Sequence, residues 1–252
     1  MTKEMQTANV IRQECIADGI YSMWIATSIA NTAVPGQFIS VYINDASKLL
    51  PRPISICETG EDRLRIVYRI AGEGTRQLAS YHSGDPVTIL GPLGNGFPLS
   101  DEDAILIGGG IGIPPMLSLA KALTGKKEIV LGYRSELFLQ DELASCGNVS
   151  VATEDGSSGT SGTVMDVLQT GTVSGKVIYA CGPLPMLRAV KQYALDHNIP
   201  AWISMEERMA CGIGACLGCV CASTEQDPHS LVFNKRVCKD GPVFNAKEVD
   251  LT

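Results

Sequence analysis

The cysteines of this chain are concentrated near its C-terminus. Of nine in total, five fall within the last 42 residues. Cys211, Cys216 and Cys219 form a Cys-x4-Cys-x2-Cys run, and Cys238 follows after a further 18 residues. Four thiolates at this spacing are typical of the ligands of a plant-type [2Fe–2S] cluster. The glycines of the run would also let backbone N–H groups approach the sulfurs closely.

Other uses of these thiols remain open at this point. A structural zinc site usually presents two Cys-x2-Cys pairs, and only one is found here. Disulfides are rare in a reducing compartment. Cys221 stands two residues after Cys219 and is either a small buried residue or a further ligand. The isolated Cys15, Cys57 and Cys146 are expected to be core residues.

A glycine-rich turn indicates a second kind of site. Gly108, Gly109, Gly110 and Gly112 stand between the apolar run Ala104–Ile107 and a helical pattern. Glycines let the backbone approach a pyrophosphate, and a helix N-terminus favours its charge. The turn therefore predicts nucleotide binding, with a simple tight connection between strand and helix as the alternative.

Cys181, Gly182 and Pro183 repeat that arrangement at the end of a later predicted strand. Ligands of open α/β sheets bind beyond the carboxyl ends of the strands, so both turns are expected to face one crevice. Cys181 would either pack in this crevice or line a nicotinamide site.

The N-terminal part carries groups that suit a flavin nucleotide. Arg52, Pro53, Ile54 and Ser55 open a predicted strand, and Gly72–Thr75 precedes the one helix of this part. An arginine can neutralise a pyrophosphate, a small hydroxyl can bond a flavin ring nitrogen, and a helix N-terminus offers further N–H groups. A surface arginine and an ordinary helix N-cap are the alternative interpretation.

Three kinds of segment must position these residues. Residues 1–100 carry short strands and turns, which predict a small antiparallel barrel. Residues 101–204 alternate strands and helices, which predicts a doubly wound parallel α/β domain. Residues 205–252 show neither period and are expected to form a small cluster domain stabilised by its metal centre. The predicted fold class is α+β with three domains in this order.

The individual elements follow from the same patterns. The barrel strands are predicted at Tyr21–Thr27, Gln37–Ile43, Pro53–Glu58, Arg63–Ile70 and Pro86–Leu90, and its helix at Thr75–Tyr81. Ala201–Ser204 is expected to be the last strand of the α/β sheet, and Gly156–Gly162 a surface loop.

Composition excludes several classes of protein. The net charge is −7 with both signs mixed along the chain, so we expect no nucleic-acid binding. No segment has the length of a membrane span, and the N-terminus lacks the apolar run of a signal peptide. A cytoplasmic protein without a membrane partner is expected.

Taken together, the Arg-x-x-Ser strand, the Gly-Thr helix start, the glycine-rich turn and the late Cys-Gly-Pro resemble the ferredoxin–NADP reductase superfamily. The run Met205–Cys216 makes this resemblance more specific. It is similar to the electron-transfer subunits of type 1B dihydroorotate dehydrogenases, and this resemblance covers nearly the whole chain.

The resemblance implies three cofactors and their residues. FAD would be held by Arg52, Pro53, Ile54 and Ser55, by Val67, Tyr68 and Arg69 on the next strand, and by Gly74 and Thr75 at its pyrophosphate. NAD would lie at the two turns, with Ser55 and Cys181 at the site of hydride transfer. Cys211, Cys216, Cys219 and Cys238 would hold the [2Fe–2S] cluster. Ile54 replaces a tyrosine that stacks on the flavin in many members of the superfamily, so that face of the ring would have a different cover.

The resemblance also implies the overall reaction, the oxidation of dihydroorotate by NAD⁺ in pyrimidine biosynthesis. The partner would be an FMN-containing catalytic subunit, with two copies of each subunit as the natural symmetric assembly. Two alternatives stay open: a diaphorase subunit of a hydrogenase or a bifurcating transhydrogenase, and a zinc-stabilised binding module. NADP stays open too, because Arg134 and Ser135 stand where an acidic residue is expected for NAD.

Overall fold

The computed structural model describes residues 3–45, 47, 49–227 and 231–251. The N-terminal strands form a closed antiparallel barrel in the order β1-β2-β5-β4-β3-β6. These strands are β1 Glu4–Ala17, β2 Ile20–Ala26, β3 Phe38–Tyr42, β4 Arg52–Gly60, β5 Arg63–Arg69 and β6 Pro86–Leu93. Helix α1, Glu73–Leu78, follows β5. The core of the barrel is aliphatic and includes Ile39, Val41, Ile54 and Ile56.

Strand β1 is absent from the sequence-based prediction, which begins at Tyr21. Half of its fourteen residues, EMQTANVIRQECIA, are polar, and Ala8 and Val10 are its buried ones. The strand is fixed by pairing with β2 on one side and β6 on the other. Cys15 lies on this strand and is exposed, so its expected core position is wrong. Cys57 is buried as expected, and Cys146 is half-buried.

The second unit is a seven-stranded sheet in the order β10-β9-β8-β7-β11-β12-β15. Its strands are β7 Ala104–Gly109, β8 Lys127–Tyr133, β9 Asn148–Thr153, β10 Thr160–Ser161, β11 Val177–Cys181, β12 Ala201–Ser204 and β15 Val243–Asn245. The helices are α2 Pro114–Ala122, α3 Gln140–Ala144, α4 Val164–Gln169 and α5 Leu184–Asp196. All neighbours are parallel except β12 and β15.

Both edges of this sheet differ from expectation. Ala201–Ser204 is not the last strand, because β15 pairs beyond it with Ser204 opposite Val243. The expected surface loop at Gly156–Gly162 contains the two-residue strand β10, paired with β9. Edge strands this short carry too few residues to show a periodic pattern.

The last segment is built around one short antiparallel pair, β13 Val220–Ala222 and β14 Asn234–Arg236. It does not form a separate core. Cys219, Cys221, Val237 and Cys238 belong to the same buried cluster as Ile178 and Ile203 of the sheet. Phe38 and Leu93 of the barrel join this cluster too, so the segment packs against both larger units. Nowhere in the described ranges does a helix combine the length and the apolar character needed to cross a membrane.

Candidate cofactor sites

The loop from Cys211 to Cys219 directs backbone N–H groups at sulfur. The Sγ of Cys211 accepts hydrogen bonds from the N–H groups of Ile213, Ala215 and Cys216 at 3.5, 3.3 and 3.4 Å. Desolvation opposes ionisation of this thiol, but these donors outweigh it and lower the pKa of Cys211 to about 6. The loop therefore favours the thiolate, which is the form that binds iron.

The four predicted ligands lie in two pairs. Cys216 donates its backbone N–H to Cys211 Sγ at 3.4 Å, and the Cys219 thiol is close enough to Cys238 to help raise its pKa. Cys238 also donates its backbone N–H to Cys219 Sγ at 3.4 Å. Within the described ranges, no three His, Cys, Asp or Glu side chains are placed to hold a single metal ion. Two adjacent pairs are what a two-iron cluster needs, because each iron takes two thiolates.

The second pair is buried. Cys219 and Cys238 are 2% and 1% exposed, whereas Cys216 is exposed. Burial, together with the neighbouring Cys219 thiol, raises the pKa of Cys238 to about 12. A thiol in this environment keeps its proton until a metal displaces it. Cys221 lies in β13 within the shared core, where burial raises its pKa.

Arg236 was not among the predicted site residues, although it braces the cysteine loop. Its guanidinium donates from Nε and Nη2 to Asp240 at 3.0 and 3.2 Å, and from Nη1 to the carbonyl of Gly214 at 3.3 Å. The ion pair thus fixes the loop carbonyl from the side of Cys238. Its i, i+4 spacing is visible in the sequence, but its target in the loop is not.

The loop rests on the outer face of the barrel. Ile39 and Val41 of β3 point into the barrel core, so Phe38 and Ser40 point outward. Gly212 has a φ of +68°, and a Cβ placed on it would lie 2.9 Å from Ser40 Oγ. A side chain at position 212 would therefore separate the loop from the barrel.

The predicted flavin residues lie beside this contact. Strand β3 pairs with β4 so that Ser40 is opposite Pro53 and Phe38 opposite Ser55. Since Ile54 and Ile56 face the barrel core, Pro53 and Ser55 share the outward face with Ser40. Ile54 itself is 8% exposed and packs inside the barrel, which leaves its backbone as the part available to a ligand.

The barrel opens where the two groups of predicted flavin residues meet. Strands β4 and β5 pair from Ile56 opposite Ile66 to Gly60 opposite Arg63. Beyond Ile56, Arg52–Ser55 pair with β3, and Val67–Arg69 pair with β2 on the opposite side. The two strands therefore separate at this end of the barrel, with all seven residues on its margins.

The side chains of the second group point in different directions. Val67 is buried toward the α/β unit, whereas Tyr68 is buried in the barrel core and Arg69 is exposed. Tyr68 donates its hydroxyl to Gln13 Oε1 at 2.7 Å, and Gln13 in turn donates to the carbonyl of Tyr81 at 2.8 Å. Gln13, which lies on the unpredicted strand β1, thus connects β5 to the end of the α1 turn.

Arg52 and Gly74 are brought into direct contact. A Cβ on Gly74 would lie 2.3 Å from Arg52 Nε and 2.4 Å from its Cζ, so the guanidinium lies across the glycine. The hydroxyl of Thr75 accepts the backbone N–H groups of Ala71 and Gly72 at 2.9 and 3.2 Å. Thr75 therefore closes the turn with its side chain, while the arginine presents the positive charge.

The two nucleotide turns also meet. Strands β7 and β11 are parallel neighbours with Gly108 opposite Cys181. A Cβ on Gly112 would lie 2.3 Å from the carbonyl oxygen of Cys181, and one on Gly182 would lie 3.2 Å from the Gly109 Cα. Strand order reverses between β7 and β11, which is where open α/β sheets bind nucleotides.

Two features of this crevice refine the prediction. Pro114 and Pro115 open α2 and have no N–H, so donors to a phosphate would have to come from the preceding glycines, Gly108–Gly110 and Gly112, and from Gly182. Burial raises the pKa of Cys181 to about 12, although a hydrogen bond with Ser204 opposes this shift. Cys181 is therefore a neutral thiol at the floor of the crevice, with Pro183 capping α5 beside it.

Comparison with known proteins identifies the family. Residues 206–250 match the family described as the iron-sulfur cluster binding domain of dihydroorotate dehydrogenase B. The chain is 45% identical to the dihydroorotate dehydrogenase B (NAD(+)) electron transfer subunit of Geobacillus kaustophilus, over 96% of this chain and 97% of that one. The chain belongs to the family of dihydroorotate dehydrogenase B electron transfer subunits. The resemblance read from the sequence is thereby confirmed, and a zinc-stabilised binding module is excluded.

A second relative in this family, from Geobacillus sp. WCH70, is 42% identical over the full length of both chains. Among solved structures, an NADH-dependent reduced ferredoxin–NADP oxidoreductase studied for flavin-based electron bifurcation matches 98% of this chain and 90% of its own, with a TM-score of 0.88 and 26% identity. A ferredoxin NADP⁺ reductase from Neisseria gonorrhoeae shares the fold over 76% of this chain, with a TM-score of 0.64 and 17% identity. The predicted fold class, a flavin-type barrel followed by an α/β domain and a cluster-binding segment, is confirmed.

Proposed function

We propose that this chain carries electrons from the FMN of a catalytic partner subunit, through its own [2Fe–2S] cluster and FAD, to NAD⁺. The overall reaction is dihydroorotate + NAD⁺ → orotate + NADH + H⁺, and this chain supplies the NAD-linked half. Bound FAD provides chemistry that no side chain has, since it exchanges a hydride with nicotinamide and single electrons with the cluster.

The contact between the cysteine loop and the barrel carries this proposal. Gly212 lies against Ser40, and Ser40 is the cross-strand neighbour of Pro53 at the barrel opening. Side chains in such pairs have Cβ atoms about 4.5–5.5 Å apart. This contact supports cluster and flavin sites that are adjacent on one face, as single-electron exchange between the two groups would require.

Each group of residues has a defined task in this proposal. Arg52 holds the FAD pyrophosphate across Gly74, while Pro53 and Ser55 line the flavin with the backbones of Ile54 and Val67–Arg69. Ser55 places its hydroxyl at the ring, and Cys181 forms the floor under the nicotinamide as a neutral thiol. Cys211, Cys216, Cys219 and Cys238 bind the cluster. On this basis we divide the chain at 1–100, 101–204 and 205–252, with the last segment completing the sheet of the second.

The preference for NAD over NADP is supported by the end of strand β9. The N–H groups of Glu154 and Asp155 donate to the carbonyls of Tyr133 and Arg134 at 3.1 and 3.3 Å. These bonds place the backbones of two acidic residues next to Tyr133 and Arg134, and the negative charge of those residues would disfavour a 2′-phosphate there. Glu154→Lys is expected to lower the ratio of the NADH oxidation rate to the NADPH oxidation rate.

The surroundings of the cluster suit a protein partner. Ile213 and Leu217 are 44% and 63% exposed on the loop that carries the ligands, and Phe233, which precedes β14, is 58% exposed. Exposed apolar side chains on a ligand loop favour an interaction surface. We propose that the FMN subunit covers this side, in an assembly with two copies of each subunit. Nine unpaired cysteines agree with a reducing, cytoplasmic location.

The experiment is to purify the full chain, load FAD and cluster, and assay the two half-reactions separately. NADH oxidation with an artificial acceptor should proceed, and dihydroorotate-dependent reduction should be absent until the FMN subunit is added. Dihydroorotate oxidation by the isolated chain would refute the division of labour. Absence of coupling with the FMN subunit, together with coupling to a hydrogenase or transhydrogenase partner, would favour the diaphorase alternative.

A further inference from the structure

One buried hydroxyl in the described part of the molecule has no hydrogen-bond partner. Ser40 is 1% exposed, and its Oγ is the only buried side-chain nitrogen or oxygen there that is left unpaired. A buried hydroxyl without a partner is energetically unfavourable. Such groups are rare in native proteins and often mark the position of a ligand or ion.

The surroundings of Ser40 indicate which group pairs with it. Along β3, the neighbouring Ile39 and Val41 are turned into the barrel core, so the hydroxyl points outward. On that side it meets Gly212, the residue directly after Cys211, with 2.9 Å between Ser40 Oγ and the position of a Cβ on Gly212. Because residue 212 has no side chain, the backbone of the cluster loop approaches the hydroxyl closely.

The sulfur of Cys211 is already surrounded by donors of one kind. Three backbone N–H groups of its own loop bond it, from Ile213, Ala215 and Cys216. None of these three donors comes from the barrel. Ser40 is the hydroxyl that the barrel places against this side.

We propose that the hydroxyl of Ser40 donates a hydrogen bond to a sulfur of the [2Fe–2S] cluster at its Cys211 end. This inference rests on the proposed function, because it requires the cluster to be bound by this loop. A donor at sulfur stabilises the reduced cluster, which carries more negative charge, and so raises its reduction potential. Ser40 is then the barrel residue that tunes the reduction potential of the cluster relative to that of the flavin next to Pro53.

The test compares Ser40→Ala with the wild-type full chain, loaded with FAD and cluster. Redox titration followed by absorption and by EPR of the reduced cluster reports the two potentials separately. At a solution potential equal to the wild-type midpoint, we expect the ratio of reduced to oxidised cluster to fall about three- to tenfold in Ser40→Ala. A tenfold fall corresponds to 59 mV for a one-electron couple. The FAD potential should stay unchanged.

Two further variants separate the hydrogen bond from packing. Ser40→Thr keeps the hydroxyl and should keep the wild-type cluster potential. Thr88→Ala is the matched control, because Thr88 is a hydroxyl residue of the adjacent strand β6 that bonds Thr7 at 3.1 Å. Iron and acid-labile sulfide per chain are measured first. Loss of the cluster from Ser40→Ala with retention in Ser40→Thr would support the hydroxyl.

The opposite results would overturn the proposal. An unchanged cluster potential in Ser40→Ala, a shift of the FAD potential alone, or loss of the cluster from both variants would each exclude a hydrogen bond to the cluster. Wild-type chain that binds no cluster at all would instead refute the proposed function, so the two failures are distinguishable.

Discussion

The flavin opening and the cluster loop are both formed by short stretches of chain, but they are held in different ways. Around the opening, Ile54, Ile56 and Ile66 pack in an aliphatic barrel core that needs no ligand. The loop from Cys211 to Cys219 lacks such support, and its backbone is organised around sulfur. A site within a barrel is shaped by apolar packing, whereas a thiolate loop is shaped by the metal centre that it binds.

The largest effect is expected in the cysteine loop, where removal of a ligand should affect the cluster and not the flavin. Ser replacements of Cys211, Cys216, Cys219 or Cys238 should abolish the [2Fe–2S] absorption and EPR signals while FAD remains bound, because the barrel core is untouched. Cys221→Ser is the control and should keep the cluster. Iron, sulfide and FAD are measured per chain. Loss of the cluster from Cys221→Ser and its retention in Cys238→Ser would contradict the assignment.

The corresponding test at the opening is Arg52→Ala. Loss of a charge-assisted contact to the pyrophosphate should weaken FAD binding by about 1.5–3 kcal/mol, or roughly 10- to 150-fold in Kd. Flavin fluorescence on dilution measures this. Arg76→Ala is the matched control, since Arg76 on α1 is 68% exposed and only weakly paired with Glu73 at 3.9 Å. Equal losses in both variants would indicate a general charge effect rather than a specific contact.

A smaller effect on FAD binding is expected from Gly74→Ala. The Cβ of Gly74→Ala would collide with the Arg52 guanidinium, which can move aside at some cost. We expect FAD affinity to fall by about 1 kcal/mol in the single variant, and by little more than the Arg52→Ala effect in the double variant. Additive losses, measured by the same dilution assay, would show that the two residues act independently.

The smallest expected effect concerns the joint between barrel and α/β unit. Arg65, buried on β5, donates to Glu142 on α3 at 2.6 and 3.1 Å and lies 3.5 Å from Glu58. Glu142→Gln should lower the free energy of unfolding by about 0.5–1 kcal/mol, since Glu142 is partly exposed and Glu58 still pairs Arg65. Chemical denaturation measures this. Glu102→Gln, in the exposed pair with Lys176, should change nothing measurable.

The sequence predicts the parts of the molecule that carry strong local signals. Strand β12 is found at its predicted bounds, because it is an apolar run between clear turns. The cysteine spacing predicts four ligands, of which the structure brings Cys216 to Cys211 and Cys238 to Cys219. Strand β1 was not predicted because its stability comes from pairing with β2 and β6, and such long-range pairing is not visible in the local sequence.

The site residues that were missed share the same cause. Ser40, Gln13 and Arg236 are ordinary polar residues in their local sequence, and their importance comes from what another segment places against them. Ile54 and Tyr68 are predicted flavin residues by the family resemblance, but alternation along a strand turns their side chains into the barrel core. Side-chain direction at a site requires the register of the sheet, which local patterns do not contain.

The pairing of Ser204 with Val243 has a consequence for chain entropy. Residues 205–242 therefore form one long connection between the paired strands β12 and β15, like the loop of a hairpin at the sheet edge. The cost of bringing the ends of that loop together is met by the sheet and does not fall on the iron–sulfur centre. Binding of the metal therefore has to order only the interior of a loop whose ends are already held together.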